Sequence, residues 1–445
     1  MNAAALNLWW GLPFAGLLLS IALFPLLAPG FWHRHFGKIA AGWALAFVLP
    51  FCLQFGAHET AHQLAHALLL EYVPFIIVLF ALYTIAGGIC VLGNLHGSPR
   101  VNTGLIAIGT LLASVMGTTG AAMLMVRLLI RANDNRRHTV HTVVFFIMLV
   151  ANAGGALTPL GDPPLFLGFL QGVDFFWTMW FMLLPTLTVC GILLALFYAL
   201  DSYWYRAAGE EKPPQLDPTP DSRLRIVGKV NFVLLAGVVC AVLMSGVWKP
   251  GWGIDVSGAR LEAQNILRDS LLLAIALVSL ALTPRRAREG NDFNWGPIVE
   301  IAKLFFAIFV TIVPVIAMLR EGREGALGTV VRLVARTGGE PDDAIYFWLT
   351  GALSAFLDNA PTYLVFFNLA GGDAAYLMQH AATLQAISAG AVFMGALTYI
   401  GNAPNFMVKA MAEDRGIAMP SFFGYMLWSC PILIPIFLLM TWLFY

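Results

Sequence analysis

Two aspartates of this chain lie in apolar surroundings, beside residues that interrupt helices. Asp162 precedes two prolines, and Asp358 precedes Asn-Ala-Pro-Thr. If these stretches lie in a membrane, an ionisable group there costs at least ~2.5–3.5 kcal/mol and is a functional candidate by default. A carboxylate in such a place can bind a sodium ion or a proton. Competition between the two would exchange one ion for the other, so the aspartates predict an ion site.

Oxygen atoms near both aspartates would complete such a site, because hard cations prefer oxygen ligands. We expect Asp162, Asp358, Asn359 and Asn402 to contact sodium directly. No catalytic residue and no resident cofactor are expected, since sodium ions and protons would be the coupling or transported species. The full set of predicted ion- or substrate-binding residues is Thr118, Thr119, Asn152, Thr158, Gly161, Asp162, Asp358, Asn359, Thr362, Thr398, Gly401, Asn402 and Asn405.

One twelve-residue stretch occurs twice in the chain. Residues 155–166 and 395–406 are identical at seven of their twelve positions, and an aspartate in the first corresponds to an asparagine in the second. The copies are 240 residues apart (395 − 155 = 240). The same offset pairs Thr118 with Asp358, so a second pair of interrupted segments keeps the register. Chance similarity of one short motif would not place two pairs of segments at the same offset. The sequence therefore predicts an internal duplication.

Each copy of the stretch follows an apolar helix and interrupts it with glycine and proline. A break frees backbone N–H and C=O groups, which hydrocarbon cannot satisfy unless they are buried in protein or line a cavity. A packing kink would explain one such break. Two breaks at corresponding positions of two halves instead indicate a midplane binding site of the kind found in secondary transporters.

The composition indicates an all-α polytopic membrane protein. Of the 445 residues, 59% are hydrophobic and 11% are charged, whereas soluble domains contain ~25% charged residues. The 25 basic and 25 acidic residues cancel, so no general attraction to nucleic acid is expected. The expected partners are the lipid bilayer and a small ion or organic anion.

Apolar runs near the ~20 residues that cross a bilayer recur from end to end and predict about ten transmembrane helices. Two other regions, 101–131 and 345–371, have polar interruptions and short arms, and we interpret both as re-entrant hairpins. Residues 138–171 are expected to break at 158–164. The predicted helices are 8–29, 39–55, 72–95, 138–171, 174–200, 227–248, 269–284, 296–319, 382–410 and 422–445.

The predicted organisation is a scaffold followed by two repeats. Arg34 and Lys38 place the first loop in the cytoplasm by the positive-inside rule, which puts both termini outside. An odd number of predicted spans, five, separates equivalent positions, so the second repeat should be inverted relative to the first. The predicted domains are 1–71 (N-terminal scaffold helices), 72–200 (first repeat), 201–226 (cytoplasmic linker) and 227–445 (second repeat).

A separate histidine motif lies in the predicted outer segment after the second helix. His58-Glu59-Thr-Ala-His62 has the spacing of zinc metalloproteases, and His66 follows one turn later. A short amphipathic helix at the membrane surface gives the same pattern. We favour an interfacial or pH-sensing role for these histidines over zinc chemistry.

The interrupted segments resemble a known family. They are Asn-Ala-Gly-Gly-Ala-Leu-Thr-Pro-Leu-Gly-Asp at 152–162, Leu-Asp-Asn-Ala-Pro-Thr at 357–362 and Gly-Asn-Ala-Pro-Asn at 401–405. With the predicted hairpins, they resemble the ion transporter superfamily across residues 72–445. The resemblance is closest to NhaD-type sodium:proton antiporters and the citrate-transport (CitMHS-like) family. It implies a homodimer with a scaffold and a mobile transport domain.

The dicarboxylate branch of the same superfamily is less similar. Its members usually carry Ser-Asn-Thr at both hairpin tips, whereas this chain has Gly-Thr-Thr at 117–119 and Asp-Asn-Ala at 358–360. This difference weighs against dicarboxylate binding.

These observations together predict a secondary active transporter rather than an enzyme, in a bacterial inner membrane. Sodium (cation):proton antiport is the first hypothesis. Sodium- or proton-coupled transport of citrate or another organic anion, or an arsenite-type activity, is the alternative. An intramembrane aspartyl protease would also use two membrane-depth aspartates, but Pro159 and the asparagine equivalent to Asp162 fit a duplication better.

Overall fold

A computed structural model describes residues 6–207, 222–335 and 341–445. Within these ranges, nine helices are long and apolar enough to cross a membrane, or ten if one bent pair counts as a single span. In the described part of the chain, the sheet content is limited to two short two-stranded sheets. The prediction of an all-α polytopic membrane protein is therefore confirmed.

The first half consists of paired helices, a helical hairpin, a broken helix and a long final helix. A 3₁₀ turn, Leu8–Gly11, precedes α1, and a π-helical turn, Ala67–Tyr72, joins α3 to α4. The elements are α1 Leu12–Leu27, α2 Pro29–Phe55, α3 Ala57–His66, α4 Val73–Ala86, β1 Cys90–Asn94, α5 Pro99–Met116, α6 Thr118–Ala132, α7 Val140–Leu149, α8 Pro163–Leu170 and α9 Phe175–Ala207.

The second half repeats this order, with short additional helices. Its bent helix is the pair α13 and α14, which meet at 42°. The elements are β2 Ser222–Val227, α10 Val230–Val247, β3 Gly253–Val256, β4 Ala259–Glu262, α11 Ala263–Leu282, α12 Arg285–Gly290, α13 Gly296–Thr311, α14 Val313–Arg320, α15 Gly328–Leu333, α16 Asp343–Phe356, α17 Asn359–Leu369, α18 Ala374–Gln379, α19 Ala381–Met394, α20 Ala403–Glu413 and α21 Phe422–Phe444.

The 240-residue register extends further toward the N-terminus than the motifs alone indicate. Val73-Pro74 opens α4 after the π-helical turn, and Val313-Pro314 opens α14 after the bend. Proline is compatible with the first turn of a helix, where its missing N–H is not needed. Both halves therefore interrupt the helix that precedes the hairpin at the same aligned position.

Two predicted helices in the N-terminal region differ from the structure. The predicted span 39–55 begins ten residues earlier, at Pro29, because proline at the first helical position starts α2 directly after Ala28. Arg34 and Lys38 are thus helical residues and not part of a loop. The predicted span 72–95 is wrong at its end, since α4 stops at Ala86 before a glycine pair and residues 90–94 form a strand.

The boundaries of later elements also differ from the predicted ones. The predicted break at 158–164 starts earlier, because regular helix ends at Leu149 and does not resume until Pro163. The predicted span 269–284 begins at Ala263. The predicted linker 201–226 starts with the last two turns of α9, and its residues 208–221 lie outside the described part of the chain.

The two small sheets link segments outside the long helices. β1 pairs with β2 in antiparallel register, with Cys90 opposite Val227, and β3 pairs with β4. Asn291 donates to the carbonyl oxygens of Gly87 and Ile89 at 3.1 and 2.6 Å, which fixes the turn before β1. The chain segment that joins the halves is therefore tied to the first half by backbone pairing.

The helices form two groups that pack against each other. In one group, α1 and α2 pack together and against α13, while α10 and α11 pack together and against α4. In the other group, each hairpin packs on a broken helix, as α5 does on 153–157 and α16 does on α19. The contacts of α4 with α6 and of α14 with α17 join the groups, and the hairpin tips lie at this boundary.

A buried ion-pair network closes the base of the first hairpin. Asp201 accepts from Arg136 at 2.7 Å and from Asn102 at 3.0 Å, and it lies 2.8 Å from a ring nitrogen of His141. Asn102 and Asn133 exchange two hydrogen bonds of 2.8 Å. All five side chains are buried. The network joins both arms of the hairpin to α7 and α9, which anchors its base.

Replacing Asp201 by asparagine should destabilise the protein strongly. The buried Arg136 side chain would lose the Asp201 carboxylate as an ion-pair partner, and removing one partner of a buried pair costs about 3–5 kcal/mol. The measurement is thermal unfolding of the purified protein in detergent. Glu413→Gln is the control, because it breaks the exposed i,i+4 pair with Lys409, a type worth ~0.3–0.5 kcal/mol. Equal melting temperatures for the two variants would contradict the anchoring role.

Candidate functional site

Asp162 is the centre of a polar cluster formed by both halves. It occupies the N-cap position of α8, with the extended φ of −140° and ψ of 143°, and Pro163-Pro164 start the helix. Its side chain is 2% exposed. One carboxylate oxygen accepts from Thr118 at 2.9 Å and from Asn402 at 3.1 Å, and the other accepts from Asn359 at 2.5 Å.

These three donors come from three different elements. Thr118 opens α6 at the first hairpin tip, Asn359 opens α17 at the second tip, and Asn402 lies in the second break. One buried carboxylate therefore connects both hairpins and both breaks. Asp162 and Asn402, which are 240 residues apart and equivalent under the offset, are in direct contact at this point.

The two breaks have the same local structure. Thr158 has φ −140° and ψ 160°, and its equivalent Thr398 has φ −135° and ψ 168°. Asn402 is the N-cap residue of α20, as Asp162 is of α8. In each copy the residue two positions after the threonine donates its N–H to the threonine hydroxyl at 3.2 Å. The two segments thus share one backbone conformation, as well as the sequence motif, at equivalent positions.

Glycine is required where the two sides of each break touch. A Cβ on Gly161 would lie 2.2 Å from the carbonyl oxygen of Gly155, and one on Gly401 would lie 2.6 Å from that of Gly395. Both separations are far below van der Waals contact. Gly117, between the hairpin arms, has a φ of +81°, which side chains disfavour.

Several predicted site residues use their polar atoms to satisfy the broken backbone. Asn405 donates to the carbonyl oxygens of Gly395 and Thr398 at 2.8 and 2.9 Å. Asn152 donates to Ile147 at 2.8 Å and to the Asn405 side-chain oxygen at 2.7 Å. These amides compensate for groups that hydrocarbon could not pair. Direct binding of an ion by either residue stays a prediction.

The predicted site threonines other than Thr118 differ from one another in what their side chains contact. The Thr158 hydroxyl donates to the Ser114 carbonyl and the Thr398 hydroxyl to the Ala355 carbonyl, which ties each break to the first arm of its own hairpin. The Thr362 hydroxyl donates to the Asp358 carbonyl at 2.9 Å, within α17. Thr119 is half-buried and lines the cavity described below.

Asp358 lies beside this cluster in a capping position. Its carboxylate accepts from the Ala360 N–H at 3.1 Å as the N-cap of α17, which is a favourable arrangement at a helix start. It is half-buried, whereas the adjacent Asn359 is fully buried. The two predicted aspartates therefore flank Asn359, whose amide reaches one of them directly.

The side-chain oxygen of Asn359 is buried and has no hydrogen-bond partner, although its amide nitrogen donates to Asp162. Buried polar atoms normally have a partner. An unpaired oxygen next to a buried carboxylate is a ready ligand for a cation or an acceptor for a proton.

A cavity of about 480 Å³, counting the space that opens to solvent, adjoins the cluster. One wall consists of the first hairpin tip, 116–120, and residues 159–163 of the first break. The opposite wall is formed by apolar residues of α4 and α13, together with Tyr83, and sequence reasoning missed this wall. Neither lysine nor arginine occurs among the described residues that line it. No sequence signal distinguishes these apolar side chains from others that face lipid.

The histidine motif does form the predicted helix, α3. Among the described residues, no group of three His, Cys, Asp or Glu side chains is placed to hold a metal ion. Sequence reasoning overlooked Glu71, an acidic residue of the π-helical turn that follows this motif. An acidic residue within an apolar run was the available signal.

The fold and the repeated broken helices define a polytopic membrane transport protein. A family model described as "Putative citrate transport" matches residues 3–445. The chain belongs to this family, and the predicted resemblance to citrate transporters is confirmed. No protein among those with curated functions matches the chain.

Gly161→Ala should disrupt the first break. The new methyl group would overlap the Gly155 carbonyl oxygen, so the loop must move and Asp162 must shift with it. We expect a lower melting temperature and loss of transport in reconstituted vesicles. Gly104→Ala is the matched control, because a Cβ there meets open space and alanine favours a helix interior. A Gly161 variant that behaves like the Gly104 variant would show that the backbone contact is dispensable.

Asp162→Asn and Asp358→Asn should each abolish ion-coupled exchange while expression stays intact. Both changes remove a charge and a titratable group at nearly constant volume, and asparagine remains a good N-cap residue. Exchange by purified, reconstituted protein is the measurement. Asp373→Asn, which alters the exposed N-cap of α18, should leave exchange unchanged. Wild-type exchange by both buried-site variants would remove these aspartates from the mechanism.

Proposed function

We propose that the protein is a secondary active transporter that exchanges a cation, sodium in the first instance, for protons at Asp162. The observation that carries this proposal is the burial of Asp162 among polar donors from both halves. Transport requires one site that both halves can expose alternately, and a carboxylate held between them meets this requirement.

The chemistry of exchange follows from the hydrogen bonds of the cluster. In the present arrangement, three donors satisfy an ionised Asp162 carboxylate. Rotation of the Asn359 amide by half a turn would instead present its unpaired oxygen to Asp162. That arrangement suits a bound sodium ion, ligated by both oxygens, or a proton on the carboxylate. Asp162 cannot bind sodium and a proton at the same time, and this competition is the basis of antiport.

Membrane topology adds a second argument. The backbone N–H of Gly97 donates to the Ala132 carbonyl at 2.5 Å, so the two ends of the first hairpin lie side by side. We interpret both hairpins as re-entrant and the two halves as inverted repeats. Alternate exposure of one site to the two membrane faces would then follow from the exchange of two similar conformations. Location in a bacterial inner membrane, both termini outside and a homodimer belong to the same proposal.

Cotransport of an organic anion such as citrate is the second candidate, and the family match favours it. The first turn of α6 lines the cavity, and a helix N-terminus attracts anions. Because the described cavity lining contains no basic residue, a polyanion would need bound cations. In this function Asp162 would hold the coupling sodium ion or proton.

Proteoliposomes separate the two candidates. Acid-loaded vesicles should release protons when external sodium is added without an organic anion, if antiport is correct. Labelled citrate that enters only with a sodium or proton gradient would identify the second function. Asp162→Asn vesicles, prepared in parallel, should do neither. Proton release on addition of sodium and citrate entry under an imposed gradient that both equal those of protein-free vesicles would overturn the proposal.

A further inference from the structure

We propose that Glu71 is a second proton-binding residue of the transport cycle, reached from the predicted outer surface along one face of α3. This inference rests on the proposed function, in which protons move through the protein. It concerns a carboxylate outside the Asp162 cluster, in the other group of helices.

Glu71 lies in the π-helical turn Ala67–Tyr72, inside a continuous apolar stretch, Ala57–Ala86, long enough to cross the membrane. In an α-helix, five residues rotate a side chain by about 140° past a full turn. A π-helical turn contains more residues than the 3.6 of an α-helical turn, so the π-turn rotates residue 71 back toward the side of the helix that carries residue 66. Glu71 therefore lies closer to the face of His66 than it would in a regular α-helix.

This helix face bears a line of titratable side chains. Glu59, His62 and His66 precede Glu71 at helical spacings. Glu59 accepts a hydrogen bond from Gln63 at 2.9 Å. The His62 ring packs against the turn at Gly258, and its Nδ1 atom is buried without a hydrogen-bond partner. A proton that enters at the start of α3 would thus meet a titratable group on successive turns as far as Glu71.

The inner end of this line contacts the transport elements. Gln171 donates to the Glu71 carboxylate at 3.2 Å, and Gln171 is the C-cap residue of α8. Asp162 is the N-cap residue of the same eight-residue helix, which spans ~12 Å at 1.5 Å per residue. One short helix therefore joins the two carboxylates.

Arg320 provides the electrostatic counterpart. Its charge acts on both Glu71 and His66, and its Nε donates to the Asn368 side chain at 2.8 Å. Asn368 lies in the last turn of α17, the helix that begins with Asn359. Glu71 is thus influenced by Gln171 from α8 through a hydrogen bond and by Arg320 from α14 through its charge. Glu262 of β4, which packs against the π-turn, is hydrogen-bonded to Gln264.

This arrangement gives Glu71 two stable states. Ionised, it is balanced by Arg320 and accepts from Gln171. Protonated, it retains a hydrogen bond with the Gln171 amide and removes a charge from the boundary between the two helix groups. Because α8 and the π-turn belong to different groups, a displacement of one group against the other changes the surroundings of Glu71 and hence its tendency to hold a proton.

Infrared spectroscopy tests the proposal without relying on transport. The purified protein is titrated with base, and the carbonyl-stretch band of protonated carboxylic acids is followed. We expect Glu71→Gln to lose one component of this band, whereas Glu71→Asp should shift it. Glu289→Gln, at an exposed position of α12, should keep that component. An unchanged band in Glu71→Gln would overturn the proposal, and the aspartate variant provides the same test if the glutamine variant does not fold.

Vesicle transport then separates this inference from the proposed function. We expect Glu71→Gln to move fewer protons per sodium ion than the wild type, while sodium-driven proton exchange at Asp162 stays measurable. A wild-type protein that transports nothing, but whose band depends on Glu71, would refute the proposed function and leave the proton site intact. A wild-type number of protons per sodium ion in Glu71→Gln would refute a role of Glu71 in the cycle.

Discussion

A helix that breaks inside an apolar protein must find partners for the backbone groups that it exposes, because lipid offers none. The structure meets this requirement with side chains of its own. The Asn405 amide pairs with two carbonyl groups of the second break, and the Thr158 and Thr398 hydroxyls tie each break to a hairpin arm. The Thr118 N–H donates to the Gly161 carbonyl at 2.8 Å. Once these groups are satisfied internally, two irregular segments can lie side by side in the protein interior and carry polar residues with them.

The duplication also explains why the cluster contains one buried carboxylate and not two. Equivalent positions hold Asp162 and Asn402, which lie 3.1 Å apart as acceptor and donor. Two ionised carboxylates at this separation would repel each other in a region of low dielectric constant. An asparagine in the second copy turns that repulsion into a hydrogen bond. The loss of strict symmetry thus gives a single charge site at the meeting point of the halves, with Asp358 displaced to a neighbouring helix cap.

The helices around this centre have different physical roles. One wall of the cavity is polar and comes from the first hairpin tip and break, while the opposite wall comes from apolar residues of α4 and α13. The apolar wall offers no hydrogen bonds to the hairpin tip, whereas the Asp201 network holds the hairpin base to α7 and α9. The Glu71–Gln171 contact crosses the boundary between the two groups. Movement of one helix group against the other would directly affect this hydrogen bond.

The sequence by itself determined the features that depend on local chemistry. Hydropathy predicted the helical membrane class, and the fixed 240-residue offset predicted a duplication. Glycine and proline located both broken segments, since these residues act on the backbone where they stand. Only the tertiary structure decided which oxygen atoms face Asp162, because Asn359 and Asn402 reach it while Thr158 and Thr398 turn toward backbone carbonyls. The β1–β2 pairing and the apolar cavity wall also needed the fold. Such contacts join residues far apart in the chain, so the direction of each side chain depends on packing and not on its neighbours in sequence.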